Sequence, residues 1–245
     1  MESRRTRLDR FLKKAQQLNG TQTKTLLAQK RIRLNGRVAN SGQDVVNQFT
    51  WVQLDGKTLQ KRDAVYIALN KPLGIVSATL DAEHPTVLNL IDHPQASDLH
   101  LAGRLDKNST GLVLLTNDGT WSRALSSPSS KVQKTYQVTL KNPLTEDMKK
   151  AFAAGIYFPT EGITTLPARL EITSSHTATV VLSEGKYHQL KRMFGRFRNP
   201  VLGIHRCQIG SLTLDESLGK GSWRLLTVDD LKTLAAPYES IAEHI

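Results

Sequence analysis

At 245 residues, 39% of them hydrophobic, the chain can build a substantial core, and it has no run of about 18 apolar residues that would make a membrane-spanning helix. Its formal net charge is +11, and its single cysteine, Cys207, excludes an internal disulfide and a zinc site built on several thiolates. The charge is unevenly placed: residues 1–62 hold 14 Lys and Arg against 4 Asp and Glu, while the other 183 hold 19 against 18, as expected for a basic module that binds a polyanion and a nearly neutral body with another task.

The opening MESRRTRLDRFLKK is basic but lacks the apolar stretch of a secretory signal, so cytoplasmic residence is expected. Leu8, Phe11, Leu12, Ala15 and Leu18 recur at helical spacing, and Asn19-Gly20 reads as the end of that helix. A second short helix runs through Leu26 and Leu27. RIRLNGRV then alternates around Asn35-Gly36, the pattern of a hairpin with a tight turn, and Phe49 to Leu54 adds a strand closed by Asp55-Gly56. Lys24, Lys30, Arg31, Arg33 and Arg37 cluster here, and phosphates are their natural partner. A merely solubilising basic tail is the alternative, and the patterning of the segment speaks against it.

Residues 61–63 read as a linker, after which VYIALNKP forms an apolar strand that a proline must close. LHLAGRLD is a short strand running into Gly103. Leu112 to Leu115 form a buried strand, with a turn at Asn117 to Gly119. KTYQVTL alternates with period two and places Tyr136, Val138 and Leu140 on one face. A helix is predicted from Thr145 to Ala154 and strands at RLEI and ATVVL. Strands and helices do not alternate regularly, so the fold class is α+β with a mixed, largely antiparallel sheet.

A second basic cluster lies in EGKYHQLKRMFGRFR. A helix from Tyr187 would put Leu190, Phe194 and Phe197 on a packed side and His188, Lys191 and Arg192 on the opposite one. Phosphate-binding loops, dinucleotide fingerprints, HExxH and GxSxG are absent, and the other histidines lack paired spacing. Chemistry without metal or cofactor must then use side chains alone, and a loop carboxylate such as Asp106 is a credible nucleophile or base. Residue patterns alone stop at a nucleic-acid binder with a possible enzymatic activity.

The motifs AGRLDKNSTGLVLLTNDG, KTY at 134–136 and SEGKYHQLKRMF at 183–194 resemble the bacterial ribosomal RNA pseudouridine synthases, and the first 60 residues resemble the small RNA-binding domain shared with ribosomal protein S4. The resemblance implies an S4-like domain over 1–62, with Lys24, Lys30, Arg31, Arg33 and Arg37 on RNA, and a pseudouridine synthase catalytic domain over 63–245. It makes Asp106 the catalytic carboxylate, Tyr136 the residue that stacks on the target base and Lys191 the partner of Asp106. Arg104, His188 and Arg192 would contact substrate. One departure is Asn108, where the family often has Asp; Asn can cap the same turn. DAEHPTVLNLID, LHLAGRLD and EGKYHQLKRM are closer to the branch acting on small-subunit 16S RNA than to those acting on 23S RNA. The implied protein is a cofactor-free, metal-free monomer whose partner is ribosomal RNA, 16S, as part of an assembling small subunit. A synthase of 23S RNA or tRNA, or a non-catalytic assembly factor, is the alternative.

Overall fold

A computed structural model describes residues 5–234, which fall into two compact units, one formed by 5–64 with 118–120 and the other by 65–117 with 121–234. In the first unit β1 (Thr6–Arg7) leads into α1 (Leu8–Gln16) and α2 (Gly20–Ala28), followed by β2 (Ile32–Leu34), β3 (Arg37–Val38), β4 (Val45–Val46), β5 (Val52–Leu54) and β6 (Lys57–Gln60). The order β3-β2-β5-β6 forms a four-stranded antiparallel sheet, and β1 pairs with β4. Leu8, Leu12, Leu26, Ile32, Val46 and Val52 are its buried core.

Two local readings change. The helix expected to continue through Leu18 ends at Gln16, where Gln17 turns left-handed, and Asn19 opens the next helix. The Asn19 side chain accepts from the Gln22 amide and the Gln22 side chain accepts from the Asn19 amide, so a residue read as a stop signal is a reciprocal cap that satisfies two orphan donors. Asn35 and Gly36 both have positive φ, as a two-residue hairpin requires, and the Asn35 side chain also accepts from the Trp51 amide. The strand predicted from Phe49 begins at Val52.

The second unit is built on β7 (Tyr66–Lys71), β8 (His100–Leu101), β9 (Thr110–Thr116), β10 (Lys134–Leu140), the β11–β12 hairpin (Tyr157–Phe158, Ile163–Thr164), β13 (Arg169–Ile172), β14 (Thr177–Leu182), β15 (Val201–Ile209), β16 (Leu212–Thr213) and β17 (Trp223–Leu225). The helices are α3 (Gly119–Ser126), which follows directly where only a turn was predicted, α4 (Glu146–Ala154), α5 (Gln189–Gly195) and α6 (Val228–Thr233). The main sheet runs β13-β14-β10-β15-β9-β7-β17, and among these described strands only the β15–β9 contact is parallel.

Period-two alternation explains the core. Tyr136, Val138 and Leu140 are buried while Gln137 and Thr139 are exposed, and Val180 and Ala178 face them across the ladder. Met148 and Phe152 of α4 and Leu190, Met193 and Phe194 of α5 join the same cluster, with the Phe152 and Phe194 rings 4.8 Å apart. β7 is buried along all six residues, as a strand covered on both faces must be.

β15 is the keystone of the topology. It joins β14-β10 to β9-β7 and brings Arg206 level with Gly111 on one side and Tyr136 on the other. Gly111 has φ +105°, and a Cβ on it would lie 2.3 Å from the Arg206 carbonyl oxygen, so only glycine permits this approach.

Candidate active site

Asp106 stands in the loop between β8 and β9, and the loop is clamped from three directions. Lys71, fully buried at the end of β7, donates from Nζ to the carbonyls of Pro72, Lys107 and Ser109 at 3.0, 3.2 and 2.7 Å. Arg206, buried on β15, donates from Nε to the Leu112 carbonyl and from Nη1 to the Arg104 carbonyl. The Ser77 hydroxyl accepts from the Leu105 amide, and the Gly74 amide donates to Lys107. The carboxylate therefore sits on a backbone whose carbonyls, before and after it, are held by buried cations.

Two side chains meet that carboxylate, one from the N-cap of α5 and one from its first turn. Lys191 Nζ is 3.1 Å from Asp106 Oδ2, and His188 Nε2 is 3.6 Å from the same oxygen. All three side chains are about one-third exposed, so the cluster is held by protein on one side and open on the other. α5 begins at Gln189, two residues later than predicted, because His188 adopts a left-handed backbone conformation, φ 47°, at the N-cap. That conformation is costly for a residue with a side chain. Gln189 and Glu184 sustain it: the buried Gln189 amide donates to Glu184 Oε1 at 2.7 Å and its oxygen accepts from the Lys186 amide at 2.8 Å.

The remaining predicted residues take varied positions. Tyr136 is buried in the core cluster that also contains Leu105, the residue before Asp106, and is paired across the ladder with Arg206. Arg104 is exposed on the same loop as Asp106. Arg192 points elsewhere: it pairs with Glu161, lies 3.8 Å above the Phe158 ring and donates to the Tyr187 carbonyl. In the first unit Lys24, Lys30, Arg33 and Arg37 are exposed, whereas Arg31 is committed to a bidentate pair with Asp55 at 2.6 Å, a contact that raises the arginine and lowers the aspartate from their ordinary pKa values.

Sequence reading missed Lys71 and Arg206. Arg206 carries a usable signal, since it shares the inward phase of β15 with buried Ile204. Lys71 carries none, because a lysine at the end of an apolar strand ordinarily faces solvent. Burial pushes its pKa down to about 8, with the Asp106 charge opposing that shift and Arg206 adding to it. Burial likewise lowers Lys134, in the KTY motif, and Arg206 contributes. The arrangement offers an accessible carboxylate on a fixed loop beside two side chains that can carry positive charge, suited to act as nucleophile or base toward an anionic substrate. Among the described residues, no three His, Cys, Asp or Glu side chains converge as a metal site requires.

A family profile described as RNA pseudouridylate synthase matches residues 65–195. The protein named ribosomal small subunit pseudouridine synthase A from Pseudomonas aeruginosa is 46% identical over 226 residues, 92% of this chain and 98% of that protein. Its namesake from Escherichia coli is 42% identical over 235 residues, 93% of this chain and 99% of that one. A solved structure described as that of a pseudouridylate synthase superposes with a TM-score of 0.68 at 40% identity, covering 94% of this chain and 99% of that one.

Proposed function

Since the chain belongs to the RNA pseudouridylate synthase family, an isomerase acting on ribosomal RNA, we propose that it converts a specific uridine of 16S RNA to pseudouridine with Asp106 as the reacting carboxylate. The observation that carries this reading is the Asp106–Lys191 pair, 3.1 Å apart on a loop clamped by Lys71 and Arg206. The reaction breaks the N1–C1′ bond, turns the uracil, joins C5 to C1′ and moves the C5 proton, so composition is unchanged. Asp106 either attacks C1′ or removes the 2′ proton to give a glycal. In both routes Lys191 fixes the aim of the carboxylate and balances its charge.

A uridine in folded RNA is reached by extrusion, at a cost of about a few kcal/mol. Tyr136 takes the extruded base against its ring, and Arg104 and His188 contact the nucleotide. Arg192 contacts substrate too, from a side chain that pairs with Glu161 in the absence of RNA. Residues 1–62 serve as an S4-like anchor, a role supported by the exposed Lys24, Lys30, Arg33 and Arg37. The protein works as a cytoplasmic monomer on RNA of the assembling small subunit, and 16S specificity is supported by the names of its relatives.

The test is mapping of pseudouridine in ribosomal RNA from cells with and without the gene, together with Asp106→Asn in vitro. Loss of one 16S pseudouridine, and an inactive Asp106→Asn protein that still binds RNA within a few fold, are expected. A site lost from 23S RNA or tRNA would move the substrate. An active Asp106→Asn protein would remove the aspartate from the chemistry.

A further inference from the structure

Tyr187 lies immediately beside the Asp106 cluster, next in the chain to His188. The residue is 77% exposed, more than Tyr157, the other exposed aromatic among the described residues, at 52%. One face of the ring is stacked on the His188 imidazole, with centroids 3.9 Å apart and planes 22° from parallel. His188 in turn reaches to 3.6 Å from Asp106. The sequence of contacts from the carboxylate outward is therefore imidazole, then phenol, then solvent.

This stack is held rather than free. The His188 backbone is fixed in its left-handed conformation by the Gln189–Glu184–Lys186 contacts on one side. On the other, the Tyr187 carbonyl accepts from Arg192 Nη1 at 3.3 Å, and Arg192 is itself pinned by Glu161 and the Phe158 ring. A ring presented to water on a preorganised segment loses little freedom when it meets a partner, and strained backbone clusters where a ligand is met.

We infer that the outer face of Tyr187 stacks a base next to the extruded uridine. Extrusion leaves the neighbouring base without one of its stacking partners, and every base has a π face that an aromatic ring can receive. The Tyr187–His188 pair supplies the replacement layer at the rim of the site, so it binds single-stranded or unstacked RNA beside the target and contributes to the choice of which uridine is accepted. The role assigned to Tyr187 presupposes that Asp106 is the reacting carboxylate.

The test uses the full chain and a 16S fragment carrying 2-aminopurine on either side of the uridine that the wild-type enzyme converts. Binding should quench the probe on one side. Tyr187→Ala should remove that quench and weaken RNA binding by roughly 5- to 140-fold, the equivalent of about 1–3 kcal/mol per stacked base at 1.4 kcal/mol per decade. Tyr187→Phe should restore both to within about threefold, and Tyr187→Leu, which keeps apolar bulk without the ring, should resemble Ala. Absence of conversion by the wild type would overturn both the proposed function and this inference. Conversion by the wild type, with Tyr187→Ala retaining the quench and the affinity, would overturn the platform alone. Equal losses in Ala and Phe would assign the effect to the hydroxyl, and a lost saturated rate with intact binding would reduce Tyr187 to a prop for His188; either result rejects the stacking role.

Discussion

Lys71 and Asp106 show how a buried cation and a half-exposed anion are set against each other. The lysine ammonium has three donors and meets three carbonyls, those of Lys107 and Ser109 in the loop and that of its own neighbour Pro72; the neutral amine has only two donors. With the folded pKa near 8 and the ordinary value at 10.5, the folded chain holds fewer protons than the unfolded chain between those pH values. This group alone therefore makes the fold more stable as pH rises through that window, while deprotonation slackens the clamp on Asp106. The saturated rate is expected to decline above about pH 8 with no parallel drop in Tm, and Lys71→Met should abolish that alkaline limb while lowering the rate at neutral pH. Rate profiles and melting curves over the same pH range would check it; a Tm that falls together with the rate counts against the clamp. At Tyr136, Phe should retain most of the stacking, worth roughly 1–3 kcal/mol, and Ala should lose it, as titration of an Asp106→Asn background with RNA would measure.

At the scale of elements, period and position were readable where a side chain obeys its own strand or helix. The alternation of KTYQVTL is the burial pattern of β10, and α4 lies between Thr145 and Gly155 as predicted, with Gly155 at positive φ and no capping hydrogen bond from the Thr145 side chain. What could not be read depends on partners distant in the chain. α5 starts late because the Glu184–Gln189 contact favours a left-handed His188 over another helical residue, and no local preference announces such a trade. Asn19 misled because a good stop and a good cap are the same residue type. Arg206 acquires meaning only once β15 lies against β9, and Lys71 only once β7 does, and residue spacing specifies neither pairing. The β15–β9 pairing yields an expectation for Gly111→Ala: a positive φ costs a side chain about 1–3 kcal/mol before the 2.3 Å approach to Arg206 is relieved. The variant should melt at a lower temperature. Its saturated rate, measured well below that melting point, should fall as well because Arg206 holds the Arg104 carbonyl; a normal rate in the folded variant would uncouple Arg206 from the site.

For the whole molecule, the split of charge between residues 1–62 and the rest leads to the expectation that holding RNA and transforming it are separate tasks. Replacing Lys24, Lys30, Arg33 and Arg37 together by Ala should raise the RNA concentration needed for activity and flatten its dependence on salt, each lost phosphate contact removing roughly 0.7–0.9 from the logarithmic slope. Filter binding from low to moderate salt reads the slope directly, and an unaltered slope would mean that these cations do not touch phosphate. The central place of β15 bears on how the molecule comes into being. Until residues 201–209 emerge from the ribosome that makes the chain, β10 and the start of β9 at Thr110–Gly111 are unpaired edges of separate half-sheets, and Asp106 and Tyr136 belong to different halves. Long-range pairing of this kind is slow to form and leaves sticky edges exposed in the meantime. A nascent chain stopped before Val201 should therefore be inactive and prone to aggregate, and the ability to modify RNA should switch on late in synthesis, when a single strand slides in and makes two half-sheets one.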